Sequence, residues 1–220
     1  MSALKQAKFL GKTVLSLFLV FCLSACAPSR IELTPEQAHR YCEAHKEETK
    51  CFTNFYHGGI YHTLEWLAEY YQKSPPYSQL LCTLQVESAK QVNYFNGQHF
   101  IELELKVTDV HLGYLSVIGK TFTETVSQDT LEVDHLVGKK YVSFLEGRNA
   151  NLIYTPWLFL LTDDDILVSP YGCQIEEENR GNYISMESRS YTGQTLDYFV
   201  SKVKEAETKA RLAIREELSQ

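Results

Sequence analysis

The chain has 220 residues, with 21 lysines and arginines against 28 aspartates and glutamates, a formal charge of −7. That sign excludes a protein that works by wrapping nucleic acid or coating an anionic lipid surface. The length is enough for one domain with a sizeable core.

Lys5, Lys8 and Lys12 precede the apolar run TVLSLFLVFCL at residues 13–23, and no acid occurs before Cys26. A helix needs about 20 apolar residues to cross a bilayer and an export signal only about 7–15, so the run predicts a removed signal. Leu23-Ser24-Ala25-Cys26 follows directly. This stretch resembles the lipobox of bacterial lipoproteins, and the resemblance implies cleavage after Ala25 and lipidation of Cys26. A multiply acylated cysteine anchors firmly where one chain would not. Ala27 lies where an aspartate retains enterobacterial members at the inner membrane, so the resemblance implies an outer-membrane lipoprotein facing the periplasm. Without residues 1–25 the balance is 18 basic to 28 acidic residues, a charge of −10.

The expected layout is therefore a signal peptide at 1–25, a lipidated tether at 26–33 and one α+β domain at 34–220. No repeat recurs at a fixed period. Thr34-Pro35-Glu36-Gln37 is a capping box with proline at the first helical position, predicting a helix from 34 to about 48. A second helix follows from about Ile60 to Lys73, stopped by Pro75-Pro76. Leu80, Cys82, Leu84 and Val86 then alternate with polar residues, as do Ile101, Leu103, Leu105 and Val107, predicting two half-buried strands. Asn96-Gly97 predicts a two-residue turn between them, pairing Val92 with Ile101 and Val86 with Val107. That register leaves Ser88 and Lys90 on the apolar side, so a bulge or barrel mouth is expected.

Further strands are expected at 121–127, 130–133, 140–145, 155–161 and 166–169, with Asp163-Asp164-Asp165 as a turn. Short strands at this spacing predict a small barrel or sandwich between two helices and a carboxyl helix at 195–218. The stretches IELELKVTDV, LVGKKYVSFL and PYGC, with Gly138-Lys139-Lys140-Tyr141 at their centre, are similar to netrin-type and other OB-fold modules over about a third of the chain. The resemblance transfers no site.

In an exported chain the even set Cys42, Cys51, Cys82 and Cys173 predicts disulfides, the local pair Cys42–Cys51 leaving Cys82–Cys173. In the carboxyl helix, Leu196, Phe199 and Val203 are expected on the body. Ala206, Ala210 and Ala213 are expected to project as a seam for a partner helix.

Chemistry is sparse. His57 and His62 lack the spacing and intervening glutamate of a zinc hydrolase. His39, Cys42 and His45 share a helical face, but a disulfide would consume the thiolate. The aspartate triplet lacks calcium-loop spacing. No catalytic constellation, cofactor or metal is expected. The leading expectation is a lipid-anchored module that binds a protein partner in the envelope. A glycan or small-ligand binder using the aromatic cluster 52–71 is the alternative, and a metal-dependent hydrolase comes last.

Overall fold

The computed structural model describes residues 28–50, 63–73, 79–93, 99–127, 133–146, 157–170 and 186–219. The chain divides into Met1–Arg30 and Ile31–Gln220, and every described element lies in the second unit. Strand β1 (Gln79–Asn93) forms a long hairpin with β2 (His99–Leu112), and β3 (Thr121–Ser127) completes a meander. β4 (Lys140–Glu146) returns beside β1, followed by β5 (Phe159–Leu161) and β6 (Leu167–Val168). The sheet is antiparallel, in the order β3-β2-β1-β4-β5-β6. Three hairpin-connected strands with a fourth returning to the first make a Greek key. The α+β expectation therefore holds, and the open sheet is compatible with the expected sandwich or barrel-like layout. Of the expected 130–133 strand only Val133 is described, and it precedes a 3-10 turn; of the expected 155–161 strand, β5 takes Phe159–Leu161, and residues 155–156 lie outside the described set.

The hairpin register differs from the expected one by one residue near the turn and by two beyond Glu87: Val92 faces Phe100, Gln91 faces Ile101 and Val86 faces Leu105. Asn93 pairs with His99, so residues 94–98, outside the described set, span the turn. The second residue of that offset comes from Glu87, an extra residue in β1 that forms the expected bulge and reverses the alternation. Ala89 thereby joins the core, while Ser88 Oγ donates to Glu104 at 3.2 Å and Lys90 pairs with Glu102 on the outer face. A buried unpaired lysine would cost far more than one bulge.

The core between these strands is built twice. Val117-Ile118-Gly119-Lys120 and Leu136-Val137-Gly138-Lys139 each follow a 3-10 turn and form a type II turn, with φ +83 at both glycines. Gly119 N and Gly138 N donate to Val107 O and Val86 O, both at 2.8 Å, and those valines donate back to Lys120 O and Lys139 O at 2.9 and 3.0 Å. Beyond these hooks β3 and β4 start in one row, Thr121–Lys106–Gln85–Lys140. An approximate two-fold axis between Gln85 and Lys106 thus relates β1 to β2 and β4 to β3. It pairs Leu80 with Ile101, Cys82 with Leu103, Leu84 with Leu105, Val117 with Leu136, Phe122 with Tyr141 and Val126 with Leu145, all in one buried cluster. The bulges match too, Glu87 against Thr108.

The other face of the sheet carries Leu81, Val142, Phe144, Phe159, Leu161 and Leu167. It is covered by α3 (Leu64–Lys73), by the single turn α4 (Met186–Arg189) leading to Tyr191, and by α5 (Leu196–Leu218). Thr195 caps α5, its hydroxyl accepting from Tyr198 N at 3.2 Å. Phe199 is the hub, its centroid 5.0 Å from Phe159, 4.9 Å from Tyr191 and 6.1 Å from Trp157.

The expected capping box is present at α1 (Pro35–Ala44): Gln37 N donates to Thr34 Oγ1 at 3.2 Å and Thr34 N to Gln37 Oε1 at 2.8 Å. The helix ends at Ala44 and resumes as α2 (Lys46–Lys50), where one continuous helix to 48 was expected. The tether also ends earlier than 33. Ile31 N donates to Gln194 Oε1 and Ile31 O accepts from Gln194 Nε2, both at 2.8 Å. Leu33 packs where a side chain on Gly193, at φ +78, would stand.

Cys82 is a free buried thiol on β1, not the half of a long-range disulfide. Strand alternation turns it into the first core, and burial, helped by Asp109, pushes its pKa up to about 12. Cys42 is disulfide-bonded. Its expected partner Cys51, like Cys173 and Cys26, lies outside the described residues.

Candidate partner-binding surface

Helices α3 and α5 lie together on the second core. Leu64, Leu67 and Ala68 point inward from α3, and Ala206 and Ala210 meet them from α5, at 6 % and 4 % exposure. Small side chains let the two helices approach closely, so the expected partner seam is spent inside the chain. Of its three alanines only Ala213 is exposed. Lys209 reaches Glu65 at 3.6 Å and Lys73 reaches Glu217 at 3.4 Å. These exposed pairs add little stability but fix the alignment of the helices. Glu187 accepts the backbone N–H of Leu64 at 3.1 Å, capping the first turn of α3 from α4. Burial raises its carboxyl above the usual value against that hydrogen bond.

The outward side of α3 carries Trp66 and Tyr70, one turn apart, each 41 % exposed. Their rings stack at 5.1 Å with planes 12° apart. Four residues of spacing place them side by side on the helix, and their inward neighbours Leu67 and Ala68 hold that helix against the core. The result is a preset aromatic surface edged by Glu65, Glu69 and Lys73. Trp66 belongs to the aromatic cluster flagged from sequence. Tyr70 lies in the same cluster, and its four-residue spacing from Trp66 is the signal that pairs the two rings.

A polar cluster lies where β2 approaches α5. Thr83 Oγ1 is 2.7 Å from His111 Nε2, and Thr108 Oγ1 donates to Thr83 O at 3.2 Å. Thr83 is only 4 % exposed, which denies a substrate access to the hydroxyl. Burial lowers the His111 pKa, Asp109 opposes the shift, Lys204 reinforces it and Asp197 opposes it. The unfolded chain therefore binds this proton more readily. Stability is expected to fall as pH drops from 6.5 toward the depressed native value, and to be unaffected by this group at higher pH. Melting temperatures across that interval should fall for the wild type and flatten in His111→Asn. An equal slope in the variant would refute the assignment.

The remaining predicted residues scatter. His57 and His62 lie outside the described residues, and His39 is exposed on α1. His45 Nδ1 is 3.9 Å from Glu48 Oε1, beside an open groove of about 370 Å³ lined by Leu33, Gln37, Arg40, Tyr41, Ala44 and His45. Asp163, Asp164 and Asp165 make the expected turn, closed by Asp165 N to Thr162 O at 3.0 Å. Among the described residues no three histidine, cysteine, aspartate or glutamate side chains converge as a metal site. No family model matches the chain, and no curated protein or solved structure matches it significantly.

Proposed function

We propose that the chain is a lipid-tethered, non-catalytic accessory module of the bacterial envelope that holds a protein partner against the outward face of α3. It is exported, anchored through Cys26 at the outer membrane and faces the periplasm. The carrying observation is the stacked, exposed Trp66–Tyr70 pair on a helix fixed by the core. Trp and Tyr dominate binding hot spots because they bury large area at small entropic cost. The charged residues around the pair suit a polar rim.

The test is a pull-down of the full-length lipidated protein from detergent-solubilised envelope. Truncating two hot-spot rings costs about 2 kcal/mol or more, roughly a thirty-fold loss of affinity. Trp66→Ala/Tyr70→Ala should therefore lose the co-purifying protein while keeping its membrane fractionation and its melt. Full retention of that protein would overturn the reading. A glycan reading uses the same rings, and an oligosaccharide that displaced the captured protein only from the unmutated chain would favour it.

A further inference from the structure

Gln194 is a buried polar side chain whose partner lies 163 residues away, at 2 % exposure. Its Oε1 accepts from Ile31 N and its Nε2 donates to Ile31 O, both at 2.8 Å. An amide that bonds both backbone groups of one residue pairs with it as a neighbouring strand would. The amide is also preset. Gln194 O accepts from Leu167 N at 2.9 Å and Gly193 N donates to Leu167 O at 2.8 Å, so Gln194 is fixed to β6 just before the cap of α5. Two residues beyond Ile31, Leu33 packs against Gly193, with Tyr41 beside it. Opening this strap, Ile31–Leu33, would strip a buried amide of both bonds, which is costly. With the strap shut, only residues 27–30 separate Cys26 from Ile31, a length of chain of at most about 18 Å.

We propose that the Gln194 strap keeps the tether short so that the module works at the membrane surface, and that the partner of Trp66–Tyr70 is a protein of that same membrane, not a soluble one. This rests on the lipid anchor at Cys26 and on the Trp66–Tyr70 surface, and it gives the partner's class. A short tether raises the effective concentration of a partner in the same membrane and does nothing for a freely diffusing one.

Trypsin reads the strap. Arg30 is exposed, but its bond to Ile31 must leave the clasp to be cut. From detergent-solubilised full-length protein, the fragment starting at Ile31 should form about ten-fold faster or more in Gln194→Leu than in the wild type. Leu33→Asp leaves Gln194 in place and should do the same, so it carries this arm if Gln194→Leu does not fold. Equal cleavage of the wild type and a folded variant would overturn the strap. The second arm is formaldehyde crosslinking in intact cells, with about forty Gly and Ser residues inserted between Arg30 and Ile31. That insertion leaves the strap shut and lengthens the tether, so the crosslink that Trp66→Ala/Tyr70→Ala abolishes should fall about ten-fold or more in yield. An unchanged yield would mark a soluble partner and overturn the proposal. A crosslink indifferent to Trp66→Ala/Tyr70→Ala would overturn the binding surface and the partner's class with it. The trypsin arm needs neither lipid nor partner, so the two failures are distinguishable.

Discussion

Phe199→Ala is expected to lower unfolding free energy by about 3–5 kcal/mol, the range for deleting a buried aromatic ring that leaves a cavity. The ring is fully buried and contacts Phe144, Trp157, Phe159 and Tyr191, side chains from β4, β5, the segment before β5 and the turn before α5. None of these rigid elements can close the cavity alone. Urea unfolding should show a lower midpoint with an unchanged slope, since the surface exposed on unfolding is nearly the same. A loss below about 1 kcal/mol, the usual cost of an ordinary substitution, would mean that the helix is held elsewhere.

Removing residues 205–220 should also cost several kcal/mol. The alanines contribute little area themselves, but their helix covers Leu64, Leu67 and Ala68. Fully burying a leucine is worth about 1.5–3 kcal/mol, and partial exposure of two forfeits a substantial share. The truncation also removes Lys209–Glu65 and Lys73–Glu217. α3 should therefore loosen, taking the Trp66–Tyr70 surface with it. A melt close to the wild type would show that the terminal half of α5 is dispensable, as the alanine seam suggests when read alone.

Local chemistry made much of the fold legible. The capping box at Thr34–Gln37 and the alternation in β1 and β2 each carry their own signal. The duplicated core did not, because β1 and β2 align at an offset of 21 residues whereas the hooks and their strands align at 19. Two offsets defeat a search for one period. The bulge at Glu87 was legible, because Ser88 and Lys90 marked the place where simple alternation had to fail. Ala206 and Ala210 were misassigned because a small-residue seam has the same appearance whether its neighbour is the same chain or another. Cys82 was assigned by counting cysteines, while the alternation around it already directed the thiol inward.

The surface was legible only in part. Trp66 stands out in the sequence, but its exposure depends on which side of α3 the core takes, and Leu64, Leu67 and Ala68 decide that. The likeness of the two hooks is equally hidden, since VIGK and LVGK become equivalent only once both glycines are seen at the same positive φ.

The central claim is a binding module held at a membrane by its first mature residue. Intact-mass spectrometry of the mature protein, extracted from membranes in detergent, tests it most directly. The account predicts a chain beginning at Cys26, heavier than its polypeptide by a diacylglyceryl group and an N-acyl chain. An unmodified Cys26, a chain still beginning at Met1, or cleavage at any other bond would contradict it.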